Sequence, residues 1–403
     1  MELKERFLRY VMVHSASAEE SDCTPSTPWQ FDLSRVLEEE MLRMGMDRVM
    51  VDEHAYVYGE LPATPGCEEK ETVAFIAHLD TIPDFPGENV RPQVFENYDG
   101  SDIPLGDSGR VLSVKDFPHL EKLKGQTLIT TDGTTVLGAD DKAGVAEIMQ
   151  ACEEIMIEHQ PHGRVCVCFT PDEEIGHGAA FLDLDRLGAA YGFTVDGSDP
   201  GELSYETFNA ASAKVEVNGF NIHPGSAKGK MINANLVAME INGRLPADEV
   251  PAKTEGHEGF YHLMETQASV EKATLSYILR DHSAEKLEER KEVLRESVRA
   301  ANREYGPDTA VLIVHDQYRN MAEVVLQHPE ILKRAEQAIQ AEGLTPVCEP
   351  VRGGTDGAQL TFRGLVCPNL GTGGHAFHGP YEHITTESME TCKNVIKRII
   401  LAG

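Results

Sequence analysis

The sequence predicts an α/β catalytic domain, with a mixed, mostly parallel sheet carrying helices on both faces, into which a smaller α+β module is inserted. Three observations predict it. The nearly continuous apolar runs Val73 to Leu79, Val165 to Phe169 and Tyr191 to Val195 have the length of strands buried on both sides. A helical pattern from about Lys142 to Ile157 separates the first two, the alternation that parallel sheets require. Near residue 207 the pattern changes to alternating strands and a charged helix, and the α/β pattern resumes after Tyr318. At ~100–200 residues per domain, 403 residues suit two or three domains.

In chain order, Met1 to His14 reads as a short amphipathic helix with Leu3, Phe7 and Val11 on one face. A second helix runs from about Trp29 to Met44 and stops at Gly45. The three apolar strands and their intervening helix follow. Ala210 to Val217 alternates as a half-exposed strand, and Met231 to Asn242 reads as a helix. Val270 to Arg280 is a strand, Ser283 to Glu304 a long charged helix, and Thr309 to His315 a strand again. Such an order suggests a two-layer, ferredoxin-like module. The last stretch holds a helix around Pro329 to Ala341, the glycine-rich VRGGTDG, a short strand near Cys367 to Leu370 and a helix from about Ser388 to Leu401. Residues 1–206 and 318–403 are therefore assigned to the larger domain and 207–317 to the insertion.

Composition excludes several functions. With 36 Lys+Arg against 67 Asp+Glu, the formal charge of −31 repels a phosphate backbone, so nucleic acid is not an expected partner. No apolar run approaches the ~20 residues of a membrane span. MELKERFLRY carries charge where a signal peptide has an apolar block, so a cytoplasmic location is expected. The eight cysteines include no CxxC and read as reduced core residues.

Acids and histidines at strand ends carry the chemistry. In HLDT, His78 and Asp80 lie two apart on a strand and share a face, the arrangement of a metal-bound imidazole with a carboxylate behind it. A structural hydrogen-bonded pair explains HxD equally well. In GADDKAG, Asp140 and Asp141 follow a glycine turn at a helix start; one acid there is ordinarily the cap, and a second suggests a cation. In TPDEEIG, Glu173 and Glu174 follow the strand VCVCF. Adjacent carboxylates there divide into a metal ligand and a proton acceptor, or form an exposed acidic turn. Asp196 in TVDG ends another apolar strand, and GGHAFHGPYEH crowds His375, His378 and His383. HExxH and GxSxG are absent, and GSAKGKM lacks the spacing and hydroxyl of a phosphate loop. Each signal alone reads as structural. Five of them on one edge of an α/β sheet, carboxylate and imidazole without thiolate, suit one or two Zn²⁺, or Mn²⁺ or Co²⁺.

HLDT, TTDGTTVLGADDKAGVAEIM, FTPDEEIG, YGFTVDG, NAAS, HPGSAKGKMINA, VRGGTDGAQL and FHG, in this order, closely resemble the tripeptide aminopeptidases among the dinuclear zinc peptidases, a superfamily that includes carboxypeptidase G and aminoacylase. The resemblance spans nearly the whole chain. It implies that His78 and Asp196 hold one metal and Glu174 and His378 the other, with Asp140 bridging. It further implies that Asp80 orients His78, that Glu173 is the general base, and that the Asp140–Asp141 peptide is cis. The inserted domain would act as a lid, and in related enzymes it often forms a dimer contact. His223, Arg280 and Arg352 would offer positive charge to the far carboxylate of a tripeptide. For Arg280 the alternative is a surface pair with Asp281. Same-superfamily alternatives are a carboxypeptidase, dipeptidase or amide deacylase. An acidic, non-catalytic protein binding divalent cations is the alternative outside the class, and Glu173 beside Glu174 speaks against it.

Overall fold

The computed structural model describes residues 1–402 and divides into two compact units. One comprises 1–205, 323–349 and the residues from 355 onward; the other comprises 206–322 and 350–354.

The larger unit is built on a seven-stranded sheet. Its spatial order is Asp47–Val51, Val57–Leu61, Val165–Thr170, Val73–His78, Tyr191–Gly197, Asn369–Gly371, Leu203–Ser204. The four strands from Val165–Thr170 to Asn369–Gly371 are parallel, and antiparallel strands close both edges. Val73–His78 and Val165–Thr170 are buried at every position, which explains their unbroken apolar reading. On one face Ala74, Ile76, Cys166 and Cys168 pack with Leu187, Leu360 and Leu365. The cysteines are free thiols. Helix Ala139–Glu158 packs on Val73–His78 and Tyr191–Gly197. A Cβ at Gly144 of this helix would lie 2.0 Å from the Val195 carbonyl oxygen, so glycine there permits the close helix–strand approach.

A second sheet, Gly374–His375, His383–Thr385, Leu128–Thr130, Gln93–Phe95, escapes the sequence reading, as does the hairpin of Ile103–Leu105 with Arg110–Leu112. Its strands are two or three residues long, too short to express a period. Leu128–Thr130 also pairs with His383–Thr385 from the far end of the chain, a pairing no local pattern announces.

The smaller unit has the element order strand Asn209–Asn218, helix Ala234–Gly243, strands Phe260–Ala268 and Lys272–Asp281, helix Ala284–Tyr305, strand Ala310–Tyr318. All pairings are antiparallel, in the spatial order Phe260–Ala268, Lys272–Asp281, Asn209–Asn218, Ala310–Tyr318. This is the ferredoxin-like arrangement. Phe260–Ala268 is a strand the sequence does not announce, because five of its nine residues are exposed along a sheet edge. Asn233 caps the first helix by accepting from the Asn235 amide, which moves its start from the expected Met231 to Ala234. Among the described residues no helix is long and apolar enough to cross a membrane.

Candidate metal centre

The carboxyl ends of the parallel strands and the loops beside them bring five side chains together, where an open α/β sheet gathers its ligands. His78 is the last residue of its strand, Asp196 lies near the end of Tyr191–Gly197, and Glu173 and Glu174 form the short turn Glu173–Ile175 after Val165–Thr170. Asp140 and Asp141 stand at the head of helix Ala139–Glu158 with non-helical backbone angles, joined by a cis peptide bond. His378 sits in the loop between Gly374–His375 and His383–Thr385 at φ +63°, a conformation that strains a non-glycine residue.

Asp140 is the hub. One of its oxygens, Oδ1, lies 2.9 Å from His78 Nε2, and the other, Oδ2, lies 3.0 Å from His378 Nε2. His78 Nε2 is also 3.5 Å from Asp196 Oδ1, and His378 Nε2 is 3.2 Å from Glu174 Oε2. Two donors at ~2.1 Å from one tetrahedral ion stand ~3.4 Å apart, so these separations are close to those of groups sharing an ion.

The charges fit a cation as well. Burial works to lower the His78 pKa, but Asp196, Asp140 and Asp80 outweigh it and hold the ring well above its usual range. Hydrogen bonds to Asp140 and Glu174 lift His378 to about 11. Burial alone would raise Asp140, yet contacts with His378 and His78 keep its pKa low. The remaining acids are under-compensated. Burial pushes Asp196 up to about 6, and burial and then Asp140 push Glu174 to about 7. Glu173 is driven well up by burial and then by the charge of Asp196. Hard oxygen donors, two imidazoles and excess negative charge are what a divalent ion satisfies.

Asp80 does more than face His78. The His78 Nδ1 atom is 3.0 Å from the Asp80 carbonyl oxygen and 3.4 Å from its Oδ1, so the backbone carbonyl is the nearer partner of the ring. The Asp80 carboxylate accepts the amide N–H of Glu173 at 3.0 Å and of Glu174 at 3.2 Å, and thereby fixes the turn carrying both glutamates. Asp141 is the member of its pair that caps: its carboxylate accepts from Gly144 N at 3.3 Å and from His78 N at 3.1 Å.

His375 and His383 do not face Asp140. His383 pairs Nε2 to Nε2 with His119 at 2.8 Å, and His375 packs on His119 with ring centroids 4.3 Å apart. Burial lowers His375 to about 4 and His383 to about 3, leaving both rings neutral. Two acids beside the centre escaped the sequence reading. Asp356 of VRGGTDG is buried, accepts from Thr170 Oγ1 at 2.9 Å, and is pushed by burial to about 7. Glu382 accepts three backbone amides next to Asp140. Neither has a local signature, since each acts on residues distant in sequence.

The three predicted substrate cations lie in the smaller unit. Arg280 donates through Nη1 to the carbonyls of Ala211 and Leu279 and lies over the Tyr318 ring. Its expected alternative partner, Asp281, is instead paired with Arg290 at 2.9 Å, so no Arg280–Asp281 surface pair forms. Arg352 donates to the Gly256 and Glu258 carbonyls and to Thr254 Oγ1, each at 2.8 Å. His223 is exposed, and its Nδ1 accepts from Gly225 N.

Residues 136–402 match the family described as peptidase family M20/M25/M40. The chain is 49% identical over 402 residues to peptidase T of Geobacillus sp. (strain WCH70), covering 99% of this chain and 98% of that protein. It is 51% identical over 398 residues to peptidase T of Clostridium perfringens (strain 13 / Type A), covering 98% and 97%. Among solved structures, the aminopeptidase PepT from Bacillus cereus ATCC 10987 shares the fold, with a TM-score of 0.79, 23% identity and coverage of 100% of this chain and 98% of that one.

Proposed function

The chain belongs to the peptidase T branch of peptidase family M20/M25/M40, and on that premise we propose that it is a metallo-aminopeptidase that removes the amino-terminal residue from tripeptides. The observation that carries the reading is the Asp140 carboxylate, whose two oxygens each face a different imidazole. In this reading His78 and Asp196 would hold one divalent ion, Glu174 and His378 a second, and Asp140 would bridge them. The donor set suits Zn²⁺ first, with Mn²⁺ and Co²⁺ also compatible. Bound there, such ions would supply Lewis acidity and lower the pKa of water.

The chain's own residues supply the rest. Glu173 accepts the proton of the attacking water on its carboxylate and delivers it to the departing peptide nitrogen as the C–N bond breaks. Asp80 holds Glu173 in place through the Glu173 and Glu174 amides. The acidic surroundings attract the free ammonium of the substrate, and segment 207–317 serves as the lid module. Arg280, His223 and Arg352 are the cations offered to the far carboxylate, whose burial without a partner would be expensive.

The test is a metal-reconstituted activity screen over di-, tri- and tetrapeptides with free or blocked termini. Turnover confined to peptides with a free amino terminus, greatest for tripeptides and abolished by chelation, is the expected result. Chelator-insensitive cleavage, or release of the carboxy-terminal residue, would overturn the proposal.

A further inference from the structure

Glu382 lies four residues after His378 and directly before the strand His383–Thr385, whose pairing with Leu128–Thr130 fixes its backbone. Its side chain is buried and reaches the turn that ends in Asp140. Oε2 accepts from Leu137 N at 2.7 Å and from Gly138 N at 2.8 Å, and Oε1 accepts from Asp140 N at 2.9 Å. Gly138 has φ +79°, a left-handed conformation that glycine adopts without strain, and it lets the chain turn so that the three amides converge on one carboxylate. One carboxylate thus ties together two loops distant in sequence, one presenting Asp140 and the other His378, whose facing atoms are 3.0 Å apart.

We propose that Glu382 is a positioning residue of the metal centre: its three amide contacts set the separation of Asp140 and His378 and so set metal affinity. The inference rests on the metal-centre reading above. Its physical basis is the division of acceptors. A glutamine at this position keeps the shape but has one acceptor oxygen. If that oxygen serves Leu137 and Gly138, the amide NH₂ is turned against the Asp140 N–H, a donor facing a donor. The reverse orientation abandons two amides instead. Either way the backbone at Asp140 loses its register with the His378 loop. Removal of partners that orient ligands typically weakens metal binding ~10–100-fold.

A purely structural role predicts something different: a less stable fold whose centre, once folded, binds metal as before. The experiment therefore reads metal binding and stability separately in the full-length chain. Wild type and Glu382→Gln are stripped of metal, their thermal unfolding is compared, and Co²⁺ is titrated by calorimetry and by its visible absorption spectrum. The expected result is a folded apo variant with Co²⁺ affinity reduced ~10–100-fold and an altered Co²⁺ spectrum. Glu147→Gln, a buried carboxylate change on the helix that carries Asp140 but outside the centre, should keep wild-type Co²⁺ binding. Should Glu382→Gln not fold, Glu382→Asp replaces it; this variant keeps the charge but is one methylene too short to span the three amides, and the same loss of affinity is expected. Unchanged affinity and spectrum in the folded variant would overturn the inference while leaving the metal centre intact. A wild type that binds no Co²⁺ would remove both.

Discussion

Replacing Glu147 with methionine should stabilise the protein, by an amount that grows with pH. Glu147 lies two turns along the helix headed by Asp140. It is fully buried, and neither of its carboxyl oxygens has a hydrogen-bond partner. Burial, reinforced by Glu390, holds its pKa well above the ordinary carboxylate value; Cys392 is also among the groups near it. Two contributions follow. The neutral, unpaired carboxyl costs about 1–3 kcal/mol of desolvation relative to an apolar side chain. The second is linkage. In the unfolded chain the group ionises near its reference value of 4.5, whereas in the fold it stays protonated. The unfolded state therefore binds fewer protons, and stability falls as pH rises above that value, by about 1.4 kcal/mol per pH unit while the folded group remains neutral. Between pH 5 and pH 7 the advantage of Glu147→Met should widen, by at most about 1.4 kcal/mol for each pH unit. Methionine matches the side chain in length and is a good helix former, so packing and propensity change little. The assay is urea unfolding of metal-free wild type and variant at pH 5, 6 and 7, followed by circular dichroism. A stability difference of constant size across that range, or a variant less stable than wild type at pH 7, would refute the reasoning.

The other predictions concern the centre. Glu173→Ala should lower kcat by ~10²–10⁴-fold while retaining two metals per chain by elemental analysis; loss of metal here, with Glu174→Ala retaining it, would mean that the two roles are reversed. Asp80→Ala leaves the Glu173 and Glu174 amides without their acceptor, so kcat should fall with KM little changed; a change in KM alone would contradict its positioning role. His378→Ala should reduce the metal content towards one ion per chain, whereas His383→Ala should leave it at two, a contrast that elemental analysis decides. Arg280→Ala should raise KM for free tripeptides and spare carboxamide-blocked analogues. Equal wild-type activity on the free and amidated forms would eliminate carboxylate recognition.

Reading residues in order was enough for those parts of the structure whose cause is local. The strand Val73–His78 declares itself because both its faces are buried, and the helix after GADD declares itself through its glycine turn and capping acid. The placement of the candidate site was legible for the same reason: His78 and Asp196 at strand ends, and Glu174 in the turn after a strand, carry their position in the pattern just before them. Choosing among His375, His378 and His383 was a tertiary matter. All three lie within nine residues of sequence, yet only the backbone path of the loop turns His378 toward Asp140, while His119, contributed from more than 250 residues away, claims His383. The division of labour within the DD pair is likewise tertiary: Asp141 accepts from the amides of Gly144 and His78, while the two oxygens of Asp140 face His78 and His378, residues distant in sequence. Glu382, and Asp80 in its added role at the glutamate turn, act on backbone amides, and an amide has no residue-type signature. Local sequence specifies which groups can do the chemistry; long-range packing decides which of them meet, because separation along the chain carries no information about distance in space.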